Sequence, residues 1–489
     1  MQTEVTPDGS GPSAGSLAAM ASHVNRRRVG AAAGVAAAAG AFLVGGATPA
    51  QAHGIGGRAD LPVPLSYFIV GASTAVVISF LVLAARWPEP RLQGGPRHRA
   101  LRAPGLVPAL WVVRVLGLAG LGLVVTAGLV DGTESSRNIA PVLVWVVFWL
   151  VVPYSAALLG DVWWWASPFR SLARWVNAER PERPDLGATL GLWPATVAFA
   201  CFTWLELVSF DSAEPRTLAA GALLYTLYVI AMTYWMGVDT GLRAGEAFDP
   251  FVDMLARISP LEVTPRRTSL GADTITADTV VEWRGWLRSL PALAVRRGTT
   301  WFILTAIGTV TYDGLSSTEW WGRSFESVAN EQWFGTLALV GTVAAVGAGY
   351  YVAAWAASRL AAGSGLGVLA TAASFAHTLV PIALAYAFSH YFTLVVFEGQ
   401  QIVHAASDPF GLGWNLFGTA QWRSVLWLSP TAIWWIQLTS IVLGHVAGTV
   451  LAHDRALHLF GHRRAVRSQY AMLVLMVALT SLGLFILAG

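Results

Sequence analysis

Ten apolar stretches of near membrane-crossing length recur along this chain, at 65–85, 108–130, 140–160, 190–208, 217–238, 299–314, 333–358, 366–397, 427–451 and 470–488. A helix rising about 1.5 Å per residue needs roughly twenty such residues to cross a hydrocarbon core about 30 Å thick. Inside lipid only a helix or a closed barrel satisfies its own backbone, and these runs show no strand-like alternation. The chain is therefore read as an all-α, polytopic transmembrane helix bundle of about ten spans, a single integral membrane domain over 53–489. With 55% hydrophobic and 12% charged residues, nothing remains for a large soluble domain. The lipid bilayer is its first partner.

Arginine sets the orientation. The loop between the first two spans carries Arg86, Arg91, Arg97, Arg99 and Arg102, whereas 131–139 has one Arg against two acids. The positive-inside rule makes the first loop cytoplasmic, and alternation then places 161–189, 239–298 and 453–469 inside. Those loops hold Arg170, Arg174, Arg180 and Arg183, then eight further Arg, then Arg455, Arg463, Arg464 and Arg467. The mature N-terminus and Gly489 are thereby expected outside, as in a multi-pass protein of the cell (plasma) membrane. All 31 basic side chains counted as Lys or Arg are Arg, which excludes lysine Schiff-base chemistry. The net charge of +3 sits beside the spans, so no nucleic-acid partner is implied. Cys201 is the single cysteine, without a disulfide or C-x-x-C partner, and is read as packing.

Residues 1–52 read as a leader or signal peptide. Arg26, Arg27 and Arg28 precede a run rich in Ala and Gly, and Ala50-Gln51-Ala52 fits the small-x-small cleavage rule. Cleavage after Ala52 exposes His53 as a terminal amine beside its own imidazole, a two-nitrogen chelate suited to copper. An uncleaved anchor delivers His53 to the same face.

The eighth span and its continuation, SFAHTLVPIALAYAFSHYFTLVVFEGQQIVHAASDPF, gather His377, His390, Glu398, His404 and Asp408. Its 32 residues would run about 48 Å as one helix, so it must tilt, project or break near Pro381. His390 and Glu398 fall about 80° apart around a helix and can share a face, while His377 belongs to another and is expected to meet His445 or a backbone carbonyl. Glu206 and Asp313 stand near the outer ends of apolar segments, and ionisable groups at such depth face a cavity or a partner. Together with His390, His404 and His53 they could form an outward-opening His/carboxylate site for copper or zinc. Their spacing matches no established ligand motif, and an interfacial carboxylate can instead reach water.

Other features have simpler readings. Arg114 inside the second span is expected to snorkel to the cytoplasmic edge, the Trp runs to form interfacial belts, and His453, His458 and His462 to lie in a solvated basic loop. Ser167-Pro-Phe169 with Leu172-Ala-Arg174, and Asp249-Pro-Phe251 with Leu255-Ala-Arg257, read as two amphipathic helices on the inner surface. Within the 239–298 cytoplasmic loop, 264–282 reads as a surface loop or small hairpin. No Walker loop or G-x-S-x-G elbow stands in a suitable context.

Five segments together, HGIGGRADLPVP, RAGEAFDPFVDMLARISPLE, TYDGLSSTEWW, SFAHTLVPIALAYAFSHYF and SDPFGLGWNLFGTA, resemble a family of bacterial, actinobacterial-type integral membrane proteins known as fenitrothion hydrolases. The resemblance runs over nearly all of 53–489 and implies hydrolysis of a phosphorothioate ester; it carries no site residue with it. The leading expectation is thus a metal-assisted (phospho)ester hydrolase. Its metal would sit on His53, His390 and His404, with Glu206, Asp313 or Glu398 as ligand or general base. The alternatives are a transporter or copper-handling protein, with His377 and His445 along its path, and a non-catalytic subunit whose outer loops 315–332 and 399–426 dock a protein.

Overall fold

Each of the ten apolar stretches forms a helix in the computed structural model, which describes residues 63–93, 99–130, 135–264, 279–361 and 365–488. They are α1 (Leu65–Arg86), α2 (Val107–Val130), α3 (Val142–Leu159), α4 (Trp193–Leu207), α5 (Pro215–Met236), α6 (Thr299–Ser316), α7 (Gln332–Leu360), α8 (Val368–Val396), α9 (Pro430–Phe460) and α10 (His462–Ala488). All except α4 and α6 are long and apolar enough to cross a membrane alone. Helix α4 qualifies only with the short helix Pro184–Leu190, from which it is bent by 60°. Helix α6 holds five threonines and Asp313, and every residue from Phe302 to Gly314 is buried. A helix shielded from lipid by its neighbours has no need of an apolar surface. Its hydroxyls turn back on their own carbonyls, as Thr311 does on Ile307 at 2.8 Å.

Contacts between distant loops fix how often the chain crosses. Helices α1 and α9 run parallel: Phe68 meets Trp434 near both starts at 5.1 Å, and beyond the end of α1 the Trp87 indole donates to Asp454 at 3.2 Å. Strand β1 (Arg99–Arg102) pairs antiparallel with β3 (Val280–Trp283), which also pairs with β2 (Leu261–Thr264). Loops that touch lie on one side of a bilayer, so an even number of crossings must separate them. Between β1 and β2 the number is even only if α4 crosses, and between Trp87 and Asp454 only if α6 crosses too. If the eight helices that qualify alone all cross, these two pairings require α4 and α6 to cross with them.

Small residues let the spans approach. A Cβ on Gly444 of α9 would lie 2.2 Å from Ala385 Cβ of α8, and one on Gly128 of α2 would lie 2.2 Å from the Pro215 carbonyl of α5. The expected break in α8 is a tight turn over Ala376–Leu379, just before Pro381. The first ten residues of α3, Val142–Val151, wind as a wider π-helix that ends two residues before Pro153.

Several inner-loop expectations change. The helix Pro168–Asn177 forms, capped by Ser167 Oγ on the Arg170 N–H at 3.2 Å. Its counterpart Phe248–Ala256 is not a surface helix: Phe248 is buried among Phe148, Phe202 and Trp149 at 4.4, 4.9 and 6.3 Å. Aromatic rings so close together exclude water and pull the backbone inward. His453 is a fully buried part of α9 and donates to the Trp87 carbonyl at 2.9 Å, rather than lying in a solvated loop. Of the tryptophan runs, Trp163, Trp165, Trp321 and Trp434 pack inside, while Trp320 and Trp435 remain exposed. Cys201 is exposed on α4 instead of packed. Arg114 lies over Trp111 at 5.5 Å, and the charges that act on it are Arg170 and Arg174 of the arginine-rich end.

Candidate functional site

Four helices bring ionisable side chains to one place inside the bundle. Asp313 of α6 and His390 of α8 are joined by a 2.9 Å contact between Oδ2 and Nε2, with side chains 7% and 16% exposed. Gly314 makes the room: its missing Cβ would stand 3.4 Å from the His390 ring and 2.1 Å from Ile486 of α10. The Tyr391 hydroxyl is within hydrogen-bonding reach of the same carboxylate. Glu206, on the last turn of α4, lies within electrostatic range of Asp313 and of Tyr154 on α3. The Trp149 indole is beside it. Among the described residues neither Glu206 Oε2 nor Tyr154 Oη has a hydrogen-bond partner of ordinary geometry, and both atoms are buried.

A buried polar atom without a partner costs about 1–3 kcal/mol, so a group left this way inside a bundle is an argument for a working role. Two carboxylates and one imidazole lie near one another inside the bundle, and their net charge depends on how many protons the three groups hold together. The touching Asp313 and His390 side chains can share a proton or pass it between them, with the Glu206 carboxyl in electrostatic range of Asp313. Trp149 belongs to the π-helical stretch of α3, whose extra width is a recurrent feature of functional sites.

The remaining sequence candidates lie elsewhere. Glu398 is exposed and accepts from Gln401 Nε2 three residues on. His404 points Nε2 to the Ser136 carbonyl at 3.4 Å. Asp408 organises a turn, accepting from the N–H groups of Leu412 and Gly413 at 2.9 and 2.8 Å. His390, His404 and Glu398 thus have three separate partners, and among the described residues no group of three or more His, Cys, Asp or Glu is arranged to hold a metal ion. His53 and the leader lie outside the described residues. His377 and His445 are both buried; His445 Nδ1 donates to the Ile441 carbonyl at 2.8 Å, and the Nε2 of each lacks a partner among the described residues.

A second polar cluster, which sequence reasoning missed, occupies the arginine-rich end. Glu246 is completely buried and accepts from Tyr225 Oη, Trp163 Nε1 at 3.3 Å, the Phe248 N–H at 3.0 Å and the Asp249 N–H. Burial, then the charge of Asp249, pushes its carboxyl up to about 7. Asp249 pairs with Arg170, which also lies over the Trp164 ring at 5.1 Å. The two loop segments therefore join through Arg170, which lies between the matched positions of the first, and Asp249, which opens the second. Asp161 is pushed up to about 8 by burial, with Asp249 and Asp253 adding to it. It borders a cavity of about 210 Å³ with Asp253, Arg257, Glu262, Arg284 and Ser289.

Comparison with known proteins places the chain in no family: no family model, no curated protein and no solved structure matches it.

Proposed function

We propose that this chain is a proton-coupled transporter of the cell membrane, with its arginine-rich end in the cytoplasm and both mature termini outside. The arginine distribution supports the orientation. The buried Asp313–His390 pair, with the Glu206 carboxyl in electrostatic range, carries the functional reading. Chains of Asp, Glu and His inside membrane spans are the ordinary material of proton relays. Here α4, α6 and α8 each contribute one member, so a relative shift of these helices would change who holds the proton.

The test is proton movement into vesicles holding the purified protein, followed with a trapped pH-sensitive dye under an imposed potential. Asp313→Asn and His390→Ala should each slow the protein-dependent flux at least about tenfold, as removal of a proton-transfer group does. Equal flux in wild type and both variants would sink the relay. Dicyclohexylcarbodiimide, which attacks protonated carboxyls in apolar surroundings, should modify Glu206 and spare Glu206→Gln.

A second reading rests on the same pair together with the family resemblance. A carboxylate that orients an imidazole makes a general base, and His390 could take a proton from the water attacking a phosphotriester while the aryloxide leaves. A copper or zinc ion held with His53 would belong to this reading. Release of nitrophenol from a nitrophenyl phosphotriester, abolished by His390→Ala in a protein that moves no protons, would favour the hydrolase over the transporter.

A further inference from the structure

Residues 409–428, between α8 and α9, form a loop at the end opposite the arginine-rich one. Its surface has the chemistry of a lipid-facing helix. Trp414, Leu416, Phe417, Trp422, Leu426 and Trp427 are between 42 and 71% exposed, the same range as Leu81, Val115 and Leu337 on the outside of spanning helices. Arg423 is the sole charged side chain between Asp408 and Pro430. The loop is nonetheless built rather than collapsed. Asp408 bonds its first turn, Ser407 Oγ and Asn415 hold its middle, and Gln400 clamps Val425 through both backbone groups at 3.0 Å. Gly411, Gly413 and Gly418 supply the left-handed turns, with φ of 70, 80 and 74°.

Its depth follows from the backbone. Among the described residues of 423–427, Val425 alone has its N–H and C=O bonded by the protein. Unbonded peptide groups cannot enter the hydrocarbon core, where each would cost several kcal/mol. Fully hydrated, the loop as a whole would leave the indoles of Trp414, Trp422 and Trp427 and several aliphatic side chains in water. The headgroup layer resolves both conflicts, since it offers hydrogen-bond partners to the backbone and apolar depth to the rings. The loop's attachment between two spans already holds it at that level.

We infer that 409–428 is an interfacial anchor whose aromatic and aliphatic side chains lie in the lipid headgroup layer, with Arg423 at phosphate depth. The anchor is tied to the helix that carries His390: Gln400, which clamps it, stands four residues beyond the end of α8 and donates to the Val396 carbonyl at 2.9 Å.

The test uses a Cys201→Ser background, with Phe417→Cys and separately Leu426→Cys labelled by an environment-sensitive fluorophore. Each protein is placed in nanodiscs of phosphatidylcholine and phosphatidylglycerol, in which both faces are open to solvent. Blue-shifted emission should be quenched more by nitroxide near the headgroup than by nitroxide near the acyl-chain end, with little quenching by aqueous iodide. Strong iodide quenching with no lipid quenching would overturn the anchor and leave a soluble partner as the occupant; stronger quenching by the deep nitroxide would overturn the assigned depth. In the unlabelled wild type, trypsin cleavage after Arg423 should be slower in nanodiscs than in detergent, and equal rates would also count against the anchor.

Discussion

Asp454 shows how much one side chain can hold at the end of a bundle. It is fully buried and accepts from the Trp87 indole, the Arg91 and Leu92 N–H groups and Gln93 Nε2, with Arg91 N at 2.5 Å and Leu92 N at 3.1 Å. Asp454→Ala should leave those donors buried and unanswered at a cost of about 3 kcal/mol, seen as a lower melting temperature in detergent; an unchanged melt would show that water replaces the carboxylate. Asp161 gives a pH-dependent test outside the spans. Its carboxyl moves from an ordinary 3.8 up to about 8 in the folded chain, so across that window the native state keeps a proton that the unfolded chain releases. Its stabilising contribution is complete below the lower value and drains away as pH rises through the upper one. Asp161→Asn retains the cap on the Trp164 N–H without the titration, and its melting temperature should gain on wild type steadily from about pH 5 to about pH 9. A difference that does not vary with pH would mean that Asp161 is ordinary. At this scale the sequence was informative about depth and silent about partners. Glu206 and Asp313 stood out because acids flanked by apolar residues are costly. That Asp313 meets His390, 77 positions away, depends on how α6 and α8 pack, and no local pattern encodes it.

At the scale of elements, the close approach of α8 and α9 depends on Gly444 and Gly448, where added Cβ atoms would meet Ala385, the Pro381 carbonyl, Ile382 and the Thr378 carbonyl at 2.2 to 2.9 Å. Gly444→Val should push the two helices apart and cost at least about 2 kcal/mol, the range of overpacked cores. Because α8 carries His390, proton flux should fall with stability; a variant that melts normally would show that α8 has room to move. Hydropathy found all ten helices, including α4 and α6, because a run of apolar residues fixes a segment whatever surrounds it. Of the surface loop or small hairpin expected over 264–282, the described flanks pair as β2 and β3, and 265–278 lie outside the described residues. The third strand, β1, carried no local signal, since four residues rich in arginine show no alternation. The helix Phe248–Ala256 misled for a related reason: Asp249 is answered by Arg170 from another segment rather than by water, so a polar residue on this helix did not mark a solvent-facing side.

Over the whole molecule, the parity of crossings is the strongest claim and the easiest to check. Glu326 lies between α6 and α7, Arg296 precedes α6, and both are exposed. In the Cys201→Ser background, Glu326→Cys should react with an impermeant maleimide in intact cells, whereas Arg296→Cys should react only after permeabilisation. Reaction of both from the same side would remove α6 from the spanning set and break the count between Trp87 and Asp454. Arginine placement alone reached the same alternation, since each loop of the touching ends is rich in Arg. The contact between Trp87 and Asp454 also bears on the order of synthesis. Residues 91–93 leave the ribosome early, yet the carboxylate that satisfies them emerges some 360 positions later. Helix α1 and its trailing loop must therefore wait, inserted and incompletely bonded, through the making of eight more helices. A nascent chain arrested before Asp454 would display its unsatisfied end to membrane chaperones and proteases, and only the completion of α9 releases it.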